Sequence, residues 1–273
     1  MKLGYLGPKG TFSEQAALRY ASENNWDYIM FLNITDVIFS VYDGTIDEGI
    51  IPLENSIEGT VTSSLDTLIF DTKLFIKNEL VLKVSQNLMA RKGVTTEDIK
   101  KIISHPQGLA QCRKYIMNLG EFITEAVSST AEAARIVAES NEPIGAIAPR
   151  RAAEAYGLEI IGADIQDDST NATRFVVISR KQMELKAGLK TSIAFTLDND
   201  NSPGSLYKIL DILNIYEINM VKIESRPAKH KLGTYVFYIE LIAENEEDLE
   251  DAIKMMRRRV AFFKFLGSYS SIS

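Results

Sequence analysis

Short apolar runs alternate with amphipathic stretches through roughly the first 180 residues. This alternation restricts that part of the chain to an α/β layer structure, with ligands at the carboxyl ends of its strands. Residues 3–6 read as a strand and Gly7-Pro8-Lys9-Gly10 as a turn. Thr11 with Glu14 three residues on is a capping box that opens a helix. A second helix fits 34–42, and a strand over 49–54 has its C-terminal end at Glu54–Asn55. A helix is expected over about 60–68. Strand-type alternation runs through Leu74, Ile76, Leu80, Leu82 and Val84. Residues 97–101 read as a short helix, and 102–104 as a strand ending at His105-Pro106-Gln107-Gly108. A helix over 130–139, a buried strand over 144–148 and a helix start over 149–156 follow.

The pattern changes near 179–190, where residues 180–188 are polar and lack a core face. We place a linker there. Beyond it the order is β-α-β-β-α-β: strand 191–197, helix 203–216, strands 219–225 and 233–242, helix 245–258, strand 260–266. That order is the ferredoxin-like split βαβ. Pro203 suits a first helical turn with Ser202 as its N-cap. A chain of 273 residues has room for these two domains.

Composition narrows the function. Thirty basic against 37 acidic residues give a net charge of −7, which argues against a nucleic-acid partner. The run Arg257-Arg258-Arg259 reads as the solvated end of a helix. One cysteine, Cys112, excludes an internal disulfide and a Cys-rich metal site. Two histidines, His105 and His230, give no basis for a His-ligated metal. No apolar run approaches the roughly 18 residues of a membrane span, and the first residues carry no secretory pattern. A cytoplasmic protein without membrane or nucleic-acid partners is expected.

Several polar clusters fall at predicted strand ends. Gly4, Gly7 and Gly10 lack nucleotide-loop spacing; they read as a tight turn whose following N–H groups, near Thr11 and Ser13, suit a carboxylate. Glu54-Asn55-Ser56 and Ser104-His105-Pro106-Gln107 lie where α/β sheets hold ligands. Gln111 follows Gln107 by one helical turn. Cys112 has no base beside it and reads as a buried thiol. Arg174, within Asn171-Ala172-Thr173-Arg174-Phe175, could clamp a carboxylate bidentately; Asp167-Asp168 could pair with it instead.

Gly-Pro-Lys-Gly-Thr-Phe-Ser-Glu at 7–14, Pro-Leu-Glu-Asn-Ser at 52–56, Ser-His-Pro-Gln at 104–107 and Thr-Arg-Phe at 173–175 occur in this order. Together they resemble prephenate dehydratase. Glu224-Ser225-Arg226-Pro227 resembles the phenylalanine-sensing ACT domain of the same enzymes. The resemblance spans essentially the whole chain. It implies a lyase that converts prephenate to phenylpyruvate with loss of carbon dioxide and water. It also implies two α/β lobes of periplasmic-binding-protein type around a cleft. One lobe would hold about 1–76 and 157–180, the other 77–156, with an ACT regulatory domain over 190–273.

Residue by residue, Thr173 matches the family's catalytic threonine. Asn55, Ser104 and Gln111 match polar residues around the substrate, and Arg174 matches the substrate-binding arginine. Glu54 and Phe175 match motif positions. The effector site would draw on Pro203, Gly204, Ser205, Leu206, Asn219, Glu224, Ser225 and Arg226. Ser205 stands where the family usually has alanine, which puts effector selectivity in question. Aromatisation drives the reaction, so no metal or organic cofactor is implied. The effector would be L-phenylalanine, bound between paired ACT domains of a homodimer or homotetramer. Arogenate dehydratase and a two-lobe amino-acid sensor without turnover are the competing readings. A fused chorismate mutase is not expected, because the catalytic pattern begins at Leu3.

Overall fold

A computed structural model describes residues 1–22, 26–197, 202–228 and 233–272. His230, which entered the sequence reading, lies outside the described residues.

The first lobe opens with β1 (Lys2–Leu6), α1 (Phe12–Tyr20), β2 (Asp27–Phe31), α2 (Ile34–Tyr42) and β3 (Glu48–Asn55). It continues through β4 (Gly59–Thr60), α3 (Thr62–Asp66), a π-helical turn (Thr67–Asp71) and β5 (Phe75–Lys83). Thr11 caps α1 by accepting from the Glu14 N–H at 3.2 Å. The Glu14 carboxylate reaches back to the Gly10 N–H at 2.8 Å, one residue earlier than the usual box partner.

The second lobe contains β6 (Asn87–Ala90), β7 (Lys101–Ser104), α4 (Pro106–Gln111), α5 (Arg113–Leu119) and β8 (Ile123–Ala126). It is completed by α6 (Thr130–Glu139), β9 (Ile144–Ala148), α7 (Arg150–Tyr156) and β10 (Glu159–Gly162). The helix expected over 97–101 is a turn, because the Asp98 carboxylate takes both the Thr95 N–H and its hydroxyl. The chain then returns to the first lobe as β11 (Ala172–Ser179).

The C-terminal domain is β12 (Lys190–Leu197), α8 (Ser205–Ile215), β13 (Asn219–Pro227), β14 (Tyr235–Ile242), α9 (Glu246–Arg257) and β15 (Val260–Ile272). Gly204, not Ser202, is the N-cap residue of α8. The strand order β13-β14-β12-β15 is the ferredoxin-like one.

Two sheets organise the molecule. The larger runs β13-β14-β12-β15-β5-β11-β3-β1-β2, with β4 paired to β3. The smaller runs β10-β6-β9-β7-β8. β5 therefore belongs to the first lobe and β10 to the second, so the lobe boundaries expected at 76/77 and 156/157 move outward to the ends of these strands. The reason is pairing: β5 lies against β11, and β10 against β6. The last strand also outruns its expected end at 266. Its final residues pair in parallel with β5, Ser270 with Asn78 and Ile272 with Leu80, which joins the C-terminal domain to the catalytic lobe in one sheet.

Two connectors link the lobes, and the Val84 N–H donates to the Asn171 carbonyl at 2.8 Å to join them. A second contact holds the lobes near the first turn. Gly10 has φ +87°, and a Cβ there would sit 2.8 Å from the Ala152 Cα of α7. Glycine alone permits both that conformation and that approach. Arg151 of α7 donates to Glu14 at 3.0 Å beside it.

Candidate active site

β3 and β11 are antiparallel neighbours that place Asn55 opposite Thr173 and Glu54 opposite Arg174. The register shifts between Arg174 and Phe175, leaving Leu53 as the extra residue of a bulge. Strand side chains alternate between faces. Ile50 and Phe175 pack on the α1 side, whereas Ile51, Leu53 and Val176 pack toward α2, α3 and the C-terminal domain. Simple alternation from Ile50 would send Asn55 to that second side. The bulge reverses the phase, so Asn55 joins Thr173 at the cleft and Glu54 joins Arg174 behind it.

A cavity of about 250 Å³ between the lobes is lined by Phe12, Asn55, Thr173, Val84 and Gln86 on one side. His105, Gln107, Gly108, Gln111, Ser128, Ser129 and Thr130 line the other. Its polar lining contains hydroxyls, amides and one imidazole, and among the described residues no Lys, Arg, Asp or Glu.

The Asn55 amide is oriented without ambiguity. Its Oδ1 accepts from the N–H groups of Ile57 and Glu58 at 3.0 and 3.1 Å. Its Nδ2 therefore points the other way, donating to Asn171 Oδ1 at 2.9 Å and Thr173 Oγ1 at 3.0 Å. Because Thr173 Oγ1 accepts from Asn55, its own proton is free to be donated into the cavity. From the second lobe, Gln111 accepts from Gln86 Nε2 at 3.3 Å. Gln86 is 3% exposed, and its Oε1 has no protein partner. An unpaired buried amide oxygen is costly to leave unmatched.

Asn55, Thr173 and Gln111 are thus brought together. The other expected residues are not at the cavity. Ser104 is fully buried, and its hydroxyl donates to the Ile147 carbonyl at 2.6 Å inside the second lobe. Arg174, expected to clamp a substrate carboxylate, lies on the opposite face of β11. There it meets Glu54 at 2.8 Å, Glu79 at 3.2 Å and Glu240 at 2.6 Å. Burial opposes its charge, but Glu240 outweighs it and raises the Arg174 pKa. Phe175 is core. Thr11 and Ser13 flank Phe12 at the start of α1, with Thr11 spent on capping.

Sequence reasoning singled out the cluster holding His105 and Gln107 but missed Gln86, Ser128, Ser129 and Thr130 as lining residues. Ser129 caps α6 by accepting from the Glu132 N–H at 3.0 Å, and that helix start faces the cavity. The Ser-Ser-Thr run before a helical pattern was the available signal. Cys112 is buried, and burial with Asp167 nearby pushes its thiol up to about 12, which makes it inert. Among the described residues no helix is long and apolar enough to cross a membrane.

The expected effector residues divide. Pro203, Gly204, Ser205 and Leu206 lead into α8, and Asn219 begins β13. Glu224 and Arg226 face the first lobe instead. Glu224 bonds the Thr60 hydroxyl, and Arg226 meets Asp66 at 3.2 Å. Ser225, cross-strand from Phe237, takes the helix-bearing face.

Known proteins agree with this arrangement. A prephenate dehydratase family model matches residues 3–183. A prephenate dehydratase of Methanocaldococcus jannaschii is 41% identical over 271 residues, covering 97% of this chain and 96% of its own. The crystal structure of a prephenate dehydratase from Arthrobacter aurescens in complex with L-Phe superposes with a TM-score of 0.89 at 32% identity, covering 99% of this chain and 90% of that one. GqqA, described as a novel type of quorum quenching acylase, superposes at 0.88 with 28% identity over 100% and 98%. On the family match and the near-complete coverage of its relatives, the chain belongs to the prephenate dehydratase family.

Proposed function

We propose that this protein converts prephenate to phenylpyruvate, with Thr173 as the donor to the leaving hydroxyl. The observation that carries this is the Asn55–Thr173 hydrogen bond at the cavity wall, in which the Thr173 oxygen accepts and its proton remains available to donate. The substrate's ring carboxylate leaves as carbon dioxide. Its bonding electrons aromatise the ring and expel the hydroxyl. A threonine hydroxyl is too weak an acid to deliver a full proton readily. Thr173 therefore stabilises the charge developing on the departing oxygen, and water completes its protonation.

Among the described residues no Lys or Arg lines the cavity, so other groups hold the two carboxylates of prephenate in this reading. The first-turn N–H groups of α6, beyond Ser129, and of α1, at Phe12, offer partial positive charge. His105 and Gln107 supply further donors at the same wall. Gln86 and Gln111 bridge the lobe connector to α4, so closure of the lobes would tighten the site and exclude water.

L-phenylalanine regulates the enzyme through the C-terminal domain in this reading. The L-Phe complex of the Arthrobacter aurescens relative supports it. β13 is the outer strand of its sheet and exposes Val221 and Ile223, 44% and 42% accessible. An open apolar edge of this kind is a template for a second copy, which supports a homodimer at least.

The test incubates the full chain with prephenate, with arogenate and with an N-acyl substrate, with and without L-phenylalanine. Light scattering follows its mass. Phenylpyruvate formation from prephenate is expected, altered by phenylalanine. Turnover of arogenate alone, or of the acyl substrate alone, would replace this reading.

A further inference from the structure

Each of the two residues at the cleft edge has a chain neighbour in one buried ionic cluster. Thr173 precedes Arg174, and Asn55 follows Glu54. Arg174, 8% exposed, is surrounded by Glu54 of β3, Glu79 of β5 and Glu240 of β14. Two lysines of the C-terminal domain balance these carboxylates. Lys190 meets Glu79 at 2.8 Å, and Lys222 meets Glu54 at 2.7 Å. Glu240, 2% exposed, also accepts from the Tyr238 hydroxyl at 2.7 Å. The C-terminal domain thus supplies three of the six charged groups and covers the rear of the catalytic strands.

A buried ionic cluster gives little net stability, because desolvation offsets the attraction. Its stronger effect is to fix geometry, since every member is held by several directional bonds. The geometry fixed here is the bulged β3–β11 edge that carries the Asn55–Thr173 bond.

We propose that Arg174 and Glu240 are positioning residues for the reaction. The Glu240–Arg174–Glu54 contacts clamp β11 and β3 from behind and hold Thr173 and Asn55 at the leaving group. Arg174 therefore acts on turnover and does not bind the substrate. The kinetic part of this proposal rests on the dehydratase reading above. A displacement of about 1 Å at a reacting group can cost roughly a hundred-fold in rate, so partial loosening is readable in kcat.

The experiment uses the full chain with Arg174→Lys, Glu240→Gln, their double variant and Tyr238→Phe. Steady-state kinetics with prephenate are combined with NMR of the Asn55 side-chain amide and the Thr173 methyl group. Glu240→Gln is expected to lower kcat about ten-fold, with KM within two-fold. It should also shift both resonances, although it lies in the other domain. The double variant should lose no more than the worse single one, because both break the same clamp. Tyr238→Phe, which keeps every charge of the cluster, should give a smaller loss of the same kind and decides the matter if Glu240→Gln does not fold. A raised KM with unchanged kcat in Arg174→Lys would put Arg174 on the substrate and overturn the proposal. Losses that multiply in the double variant, or resonances that stay in place, would overturn it too. If the wild-type chain leaves prephenate untouched, the dehydratase reading falls, and the resonances still decide the clamp.

Discussion

At the scale of single residues, chemistry here depends on which hydrogen-bonding capacity is left over. Asn55 is saturated on its oxygen by two backbone N–H groups, so its nitrogen is turned toward Asn171, Ala172 and Thr173, and the Thr173 oxygen accepts with its own proton left to donate. Thr173→Ala is expected to lower kcat on the order of a hundred-fold, as loss of one transition-state donor does, and to leave KM within a few-fold. Thr173→Ser should keep most of the activity. Steady-state rates with prephenate check both, and near-wild-type turnover in the alanine variant would remove Thr173 from the mechanism. Thr173, Asn55 and Gln111 were legible as polar residues at strand and helix ends. Ser104 was legible as a motif, but its burial was not, because only the packing of β7 against β9 sends its hydroxyl to Ile147. Gln86 lies in a connector with no pattern of its own.

At the scale of elements, two irregularities shape the site and the domain junction. The bulge at Leu53 turns Asn55 into the cleft and Glu54 away from it. Neither residue type announces a bulge, so period-two reading of β3 could not have found it. The second irregularity is at Gly267, which pairs with Ser192 of β12 where β15 comes closest to the β5 backbone, three residues before its pairing with β5 begins at Ser270. Its φ is +141°, and a Cβ would fall 2.2 Å from the Ile76 carbonyl oxygen. Gly267→Ala is therefore expected to destabilise the chain by about 2 kcal/mol or more. A thermal melt should show a drop of at least several degrees, and an unchanged Tm would mean that β15 can cross β5 without glycine. The sequence beyond 266 is Gly-Ser-Tyr-Ser-Ser-Ile-Ser. It is mostly polar, yet Ser268 and Tyr269 are buried: they pair with Thr191 and Lys190 of β12, the Thr191 hydroxyl donates to Ser268, and the Tyr269 and Ser192 hydroxyls share a hydrogen bond.

At the scale of the whole molecule, the catalytic lobe and the C-terminal domain share one sheet and one ionic cluster, so acid should act on both together. Burial works against ionisation of Glu54, but Lys222 and Arg174 outweigh it and hold its pKa below the ordinary 4.5. A depressed carboxylate contributes stability that is fully present above about 4.5 and is lost as pH falls through the lowered folded value. Urea unfolding between pH 6 and pH 3 should show this loss, and Glu54→Gln should flatten the curve in that window. Equal slopes for the two proteins would remove Glu54 from the acid response. By itself, the sequence determined the α/β class of the first part, the β-α-β-β-α-β order of the second and the family, because periodicity and local motifs are properties of neighbouring residues. The tertiary structure alone decided which face each motif residue takes. A one-residue bulge and the pairing of strands distant in sequence put Thr173 at the cleft and its neighbour Arg174 under the C-terminal domain.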